Sequence, residues 1–199
     1  PLAGRRRRQD ESARDLLPPG SREVGEHRLA MLALRGLPGQ MVATLRQELD
    51  SLVRVVFLLS QRDRLYRAQL VDDCVSGKKW TQPNSRKPVT DREMVELTDT
   101  LHGWTRSVYS FGCAFIHLSH MHDYQTRDPL DQVSEAERNS ILSHLRRYHG
   151  APHGAEPRFT DIIPLLPAVF TKIADNLECY VTQLERDDDL DDRAPLSTR

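Results

Sequence analysis

Cysteine is scarce in this chain of 199 residues: Cys74, Cys113 and Cys179 are odd in number, far apart and show no CxxC spacing. That excludes a disulfide framework and a cysteine-built zinc site, and it predicts a reduced, cytoplasmic setting in which buried Cys behaves as a small hydrophobe. Long apolar runs are missing too. None reaches ~18 residues without a charge and the start is not signal-like, so the sequence predicts a soluble chain with no membrane partner. An excess of either charge is absent, with 28 Lys and Arg against 29 Asp and Glu. No global field therefore draws the chain to nucleic acid, and any such contact must be local. There is no glycine-rich phosphate loop, no GxSxG and no HExxH.

Charge is instead concentrated at the two ends, RRRR at 5–8 and DDDLDD at 187–192. The domain reading is a basic flexible arm over 1–20, one helical domain over 21–186 and an acidic tail over 187–199, whose first part is expected to continue the last helix into solvent. A chain of this length can bury a single core without metal or disulfide.

Between the ends the apolar pattern is helical. After a less distinct helix around 22–35, Leu45, Leu49, Leu52, Val56 and Leu59 form a stripe continued by Tyr66 and Leu70, predicting one helix that starts after Pro38-Gly39 and bends near Ser60. Residues 77–89 carry Gly, two Pro and Asn and read as a loop, with Trp80 folding back onto the body. Thr90 and Glu93 make a capping box that opens a long helix with the stripe Met94, Leu97, Leu101, Trp104, Val108, Phe111, Phe115 and Leu118. Ser134 and Glu137 make a second box, for a helix stopped at Gly150. Thr160 is expected to cap a last helix with the stripe Ile162, Leu166, Val169, Ile173, Leu177, Tyr180 and Leu184. Together these predict an all-α fold, an antiparallel bundle of four to five main helices.

The candidate chemistry begins opposite the long heptad stripe, where Arg106, Tyr109, Cys113, His117 and His120 line up. Tyr, Cys and His suit half-buried polar surroundings, so another helix, a second subunit or a ligand is expected to cover this side. His117 and His120, three apart, with Asp123 or with His144 from the next helix, are the candidate ligands for a divalent metal. The pair His122-Asp123 also resembles the doublet of HD-type phosphohydrolases. Tyr124, Arg127 and Asp128 read either as the rim of a cleft or as a turn before Pro129. Trp80 and Trp104 read as core or loop anchors.

A second group lies in SEAERNSILSHLRRYHG, where Arg138-Asn139 precede His144. This piece resembles the Arg-Asn and His motif of the HEPN superfamily, and YSFGCAFIHLSH resembles a Tyr-to-His run that ends a helix in some HEPN-like bacterial proteins. The resemblance extends over residues 40–185 in architecture. It implies a helical, dimeric, metal-independent RNase or RNA-binding component of toxin or antiviral-defence systems, with no cofactor. His144 would then be the general acid or base, Arg138 would hold the phosphate and Asn139 would orient it. Tyr109, His117, His120 and Tyr148 would line the substrate cleft. On a straight helix, however, Arg138 and His144 point about 120° apart. They would have to meet through a later helix start, a bulge or a second copy. The plain alternative pairs Arg138 with Glu135 or Glu137 and leaves His144 beside Arg147 on a wet surface.

Three functions follow as expectations: the HEPN-like RNase or RNA binder; a metal-dependent phosphohydrolase or metal-binding bundle using His117, His120 and Asp123; and a non-catalytic interaction or dimerisation module. The expected partners are a second copy of the chain, RNA or another protein.

Overall fold

The computed structural model of the chain describes residues 21–116, 127–151 and 156–190. Among these the architecture is all-α. Helices α1 (Ser21–Leu34), α2 (Pro38–Ser60), α3 (Arg64–Val75), α4 (Asp91–His102), α5 (Thr105–Ile116), α6 (Glu135–His149) and α7 (Leu166–Glu185) are joined by turns. A single helical turn at Phe159–Ile162 and 3-10 turns at Pro129–Asp131 and Ile163–Leu165 complete the set. The described residues contain no strand, only an isolated bridge between Thr81 and Pro88. No described helix is long and apolar enough to cross a membrane. The basic arm at 1–20 and residues 191–199 lie outside the described residues.

Several boundaries stand where the sequence puts them. Thr90 and Glu93 bond reciprocally, the Thr90 amide donating to the Glu93 carboxylate at 2.8 Å and the Glu93 amide to Thr90 Oγ1 at 3.2 Å. Ser134 and Glu137 do the same ahead of α6, which ends at Gly150 in a left-handed conformation. Three boundaries differ from expectation. The α2 stripe does not run on through a bend: α2 stops at Ser60, and α3 restarts after Asp63, whose carboxylate accepts from the amides of Leu65 and Tyr66. Ser60 Oγ donates to the Phe57 carbonyl at 2.7 Å, a local bond that competes with helix continuation. The long helix expected from Thr90 is two helices, because Gly103 adopts φ +69° and ends α4. In α4 the buried side chains are Met94, Val95 and Thr98, so the face turned inward is not the heptad line, and Leu101 on that line is exposed. Thr160 does not cap the last helix either. The turn starts at Phe159, the Arg158 amide donates to Asp161, and Pro164 sits in the 3-10 turn. Two prolines without amide hydrogens make the chain enter α7 in steps.

By contact the chain divides into two compact units. One contains residues 50–101 and 175–190. Its core includes Leu52, Val56, Leu70, Met94, Leu177 and Leu184. The 77–89 loop is anchored to it as expected: Trp80 is buried, stacks on Phe57 with ring centroids 5.8 Å apart, and donates from Nε1 to the Leu70 carbonyl at 2.7 Å. Within this unit Arg67 is only 3% exposed. Its guanidinium donates to the carbonyls of Leu59 (2.9 Å), Gln61 (2.9 Å) and Asp188 (2.8 Å) and to the Asp189 carboxylate (3.1 Å). Arg64 bonds Asp187 at 2.8 Å. Asp187–Asp189 therefore do not continue α7 into solvent. The helix ends at Glu185, Asp187 takes φ +57°, and the acidic run folds back onto the two arginines because a buried guanidinium needs several oxygen acceptors.

The other unit contains residues 22–49 and the described part of 102–174. Leu29, Met41, Leu45, Leu142, Phe170 and Ile173 are among its buried side chains. This unit holds every described residue of the two candidate sites.

Candidate functional site

Four helices supply the site. Helix α5 offers Tyr109 from its middle, and α2 brings Arg46 over it, the guanidinium carbon 3.7 Å from the ring centroid. Arg46 is 4% exposed, and its stem lies against Gly112, where an added Cβ would come within 2.7 Å of the Arg46 Cβ. A glycine on α5 thus lets an arginine chain cross the helix at close range. The polar side of α5 expected to be covered is, at Tyr109, covered by this chain's own Arg46. A desolvated cation over an aromatic face contributes up to about 2 kcal/mol, so Tyr109 is a packing partner here.

Helix α6 carries the Arg-Asn and His group. It is a regular helix from Glu135 to His149, its start fixed by the Ser134 box, with neither a later start nor a bulge. Arg138 and His144 therefore point in different directions within one chain. The Arg138 guanidinium approaches Glu156 at 3.2 Å and Asp131 at 3.6 Å, not Glu135 or Glu137. Asn139 is exposed. His144 is not on a wet surface: its ring packs on Trp104 (centroids 5.6 Å apart), Tyr148 (5.0 Å) and His149 (5.3 Å). It borders a small apolar recess of about 50 Å³ shared with Val42, Val108, Phe111 and Leu145. Its Nε2 is buried and has no hydrogen-bond partner among the described residues. Burial first, then the neighbouring His149 and Lys172, lower its pKa from the usual 6.5 to about 3.

Next to His144, the last turn of α6 meets the second turn of α7. Lys172 Nζ lies 3.6 Å from the Tyr148 ring centroid and the Arg147 guanidinium 5.2 Å from it. His149 Nε2 is also buried without a partner among the described residues. Burial and then Lys172 lower the His149 pKa, while burial and then Arg147 lower that of Lys172. The sequence reading missed Arg46, His149 and Lys172. Arg46 and Lys172 sit beside apolar stripes, where a long cation usually reaches solvent, and their inward course depends on partners from other helices.

Asp128 is structural. It caps the Pro129–Asp131 turn through the Leu130 amide at 2.9 Å and accepts the Phe159 amide at 3.0 Å. Trp104 is buried, as its reading as a core anchor requires. His117, His120, His122, Asp123 and Tyr124 lie outside the described residues, and with them every proposed metal ligand but His144. Among the described residues no group of three or more His, Cys, Asp or Glu is placed to hold a metal.

A groove of about 520 Å³ also runs between α5 and α6, lined by Arg106, Ser110, Gln132, Ala136 and Glu137, with Ser107 and Ser140 hydrogen-bonded at 2.7 Å across it. No family model matches this chain, and comparison with curated proteins and with solved structures returns no match.

Proposed function

We propose that this chain is a non-catalytic helical binding module whose ligand-facing side is built on α5, α6 and the start of α7. The carrying observation is the state of His144. General acid–base catalysis near neutrality needs an imidazole that changes protonation there, whereas His144 has a pKa of about 3 and packs against Trp104 beside an apolar recess. Arg138 is occupied by Asp131 and Glu156 and stands on another side of α6. Within one chain, the group that would hold a phosphate and the group that would move a proton are apart. In this reading the HEPN-like motif supports packing and recognition. The deciding experiment incubates the protein with mixed-sequence RNA in EDTA. The expected result is no cleavage above that of a His144→Ala control, and EDTA-resistant cleavage lost in His144→Ala would overturn the reading.

The HEPN-like RNase acting as a homodimer stays as a second reading, favoured by one observation. Asn139 is exposed on α6, so a second copy packed on this face would bring to the motif the second guanidinium that one chain does not supply. That reading requires a dimer in solution and loss of activity on dilution below its dissociation constant.

A further inference from the structure

Positive groups converge where α6 ends against α7, and they do so from two helices. Arg147 and His149 have an ordinary explanation, since basic side chains in a last turn complement the partial negative charge of a helix C-terminus. Lys172 has none of this kind, because it sits near the start of another helix. Its ammonium faces the Tyr148 ring, and no carboxylate among the described residues pairs with it. Two buried imidazole nitrogens, His144 Nε2 and His149 Nε2, stand nearby without partners. Like charges and unused polar atoms held together in a half-buried place raise the free energy of the empty site, and an anion removes that cost.

We infer that the basic cluster of Lys172 and His149 around Tyr148, with Arg147 at its edge, binds a phosphate group. The inference rests on the binding-module reading and names its ligand class. The donors come from separate side chains on two helices. Such a set suits the several oxygens of a tetrahedral anion better than a planar carboxylate, which is best met by one guanidinium fork. Tyr148 is 38% exposed, so solvent reaches the cluster at its ring. Burial first, then Lys172, lowers the His149 pKa, and burial first, then Arg147, lowers that of Lys172; a bound anion would oppose both shifts.

The test is an NMR titration of the histidine side chains of the full chain with inorganic phosphate at constant ionic strength, with acetate in parallel. Phosphate is expected to give a saturable response at His149 and to raise its titration midpoint, while acetate gives a weaker one. Lys172→Gln and Lys172→Ala are expected to weaken binding about tenfold, the usual effect of losing one hydrogen bond to a charged group, and Lys172→Arg to retain it. A merely structural Lys172 would change melting temperature and leave the phosphate response intact. Adenosine monophosphate and a short RNA form the next arms. Tighter binding than inorganic phosphate assigns the group to a nucleotide or RNA, and equal binding assigns it to the free anion. A response that does not saturate, that acetate reproduces, or that survives in both Lys172→Gln and Lys172→Ala overturns the inference. None of these readouts depends on RNA cleavage, so the phosphate site and the non-catalytic reading can fail separately.

Discussion

Lowering the pH should charge His144 only after the unfolded chain has already taken up its proton. Its pKa is about 3 in the folded protein against an ordinary 6.5, so the unfolded state binds more protons in between. The stabilisation from a neutral His144 is complete above about pH 6.5 and is lost as pH falls toward the folded value, with a slope of up to about 1.4 kcal/mol per pH unit. His149 is shifted the same way and adds to the effect. Urea midpoints between pH 8 and pH 5 should fall more steeply for the native chain than for His144→Leu, and equal slopes would contradict the assigned environment. At Gly112 the expected change is steric. Gly112→Ala would press a methyl on the Arg46 stem and cost about 1–3 kcal/mol in a chemical melt. At this scale the sequence was only partly legible. The HEPN-like pieces drew attention to His144, but the apolar wall around it comes from α2, α5 and α7, and no spacing within α6 encodes those neighbours.

Helix starts and stops were the most legible features because caps are local. The boxes at Thr90 and Ser134 and the stop at Gly150 each need only a few adjacent residues to satisfy end amides and carbonyls. Heptad counting was less faithful, since the line through Met94, Leu101 and Phe111 passes over Gly103. A glycine in the left-handed region ends α4 there, and the buried face moves to Val95 and Thr98. Gly103→Ala should lower the melting temperature through about 1 kcal/mol of backbone strain, and an unchanged melt would mean that the break tolerates a side chain. The clasp at Arg67 is a stronger test of an element. Changing Asp187 and Asp189 together to Asn leaves a buried guanidinium short of charged partners, and a loss of about 1–3 kcal/mol is expected in a guanidinium chloride melt. A shift near zero would show that the backbone acceptors suffice.

On the scale of the whole molecule, the all-α class was readable from apolar periodicity, and the described residues bear it out without a strand. The acidic run was misread because block charge usually signals solvated chain; here its near half is recruited by two arginines more than a hundred positions earlier in sequence. Near-neutral net charge with locally gathered cations makes a general prediction for binding. Any affinity for RNA should come from a few contacts, so its dependence on salt should be shallow, with a slope of about −1 to −3 for a single strand when log affinity is plotted against log salt. A slope as steep as that of a wide basic surface would point to a contact area well beyond α6 and α7.

The Arg67 clasp also sets an order of events during synthesis. Residues 59, 61 and 67 leave the ribosome about 120 positions ahead of the aspartates that complete their network, so the nascent α2–α3 corner must hold its guanidinium in water until Asp187–Asp189 emerge. That corner is an early-made part with a late-made fastener, and a ribosome stalled short of Asp187 would carry it open to proteases.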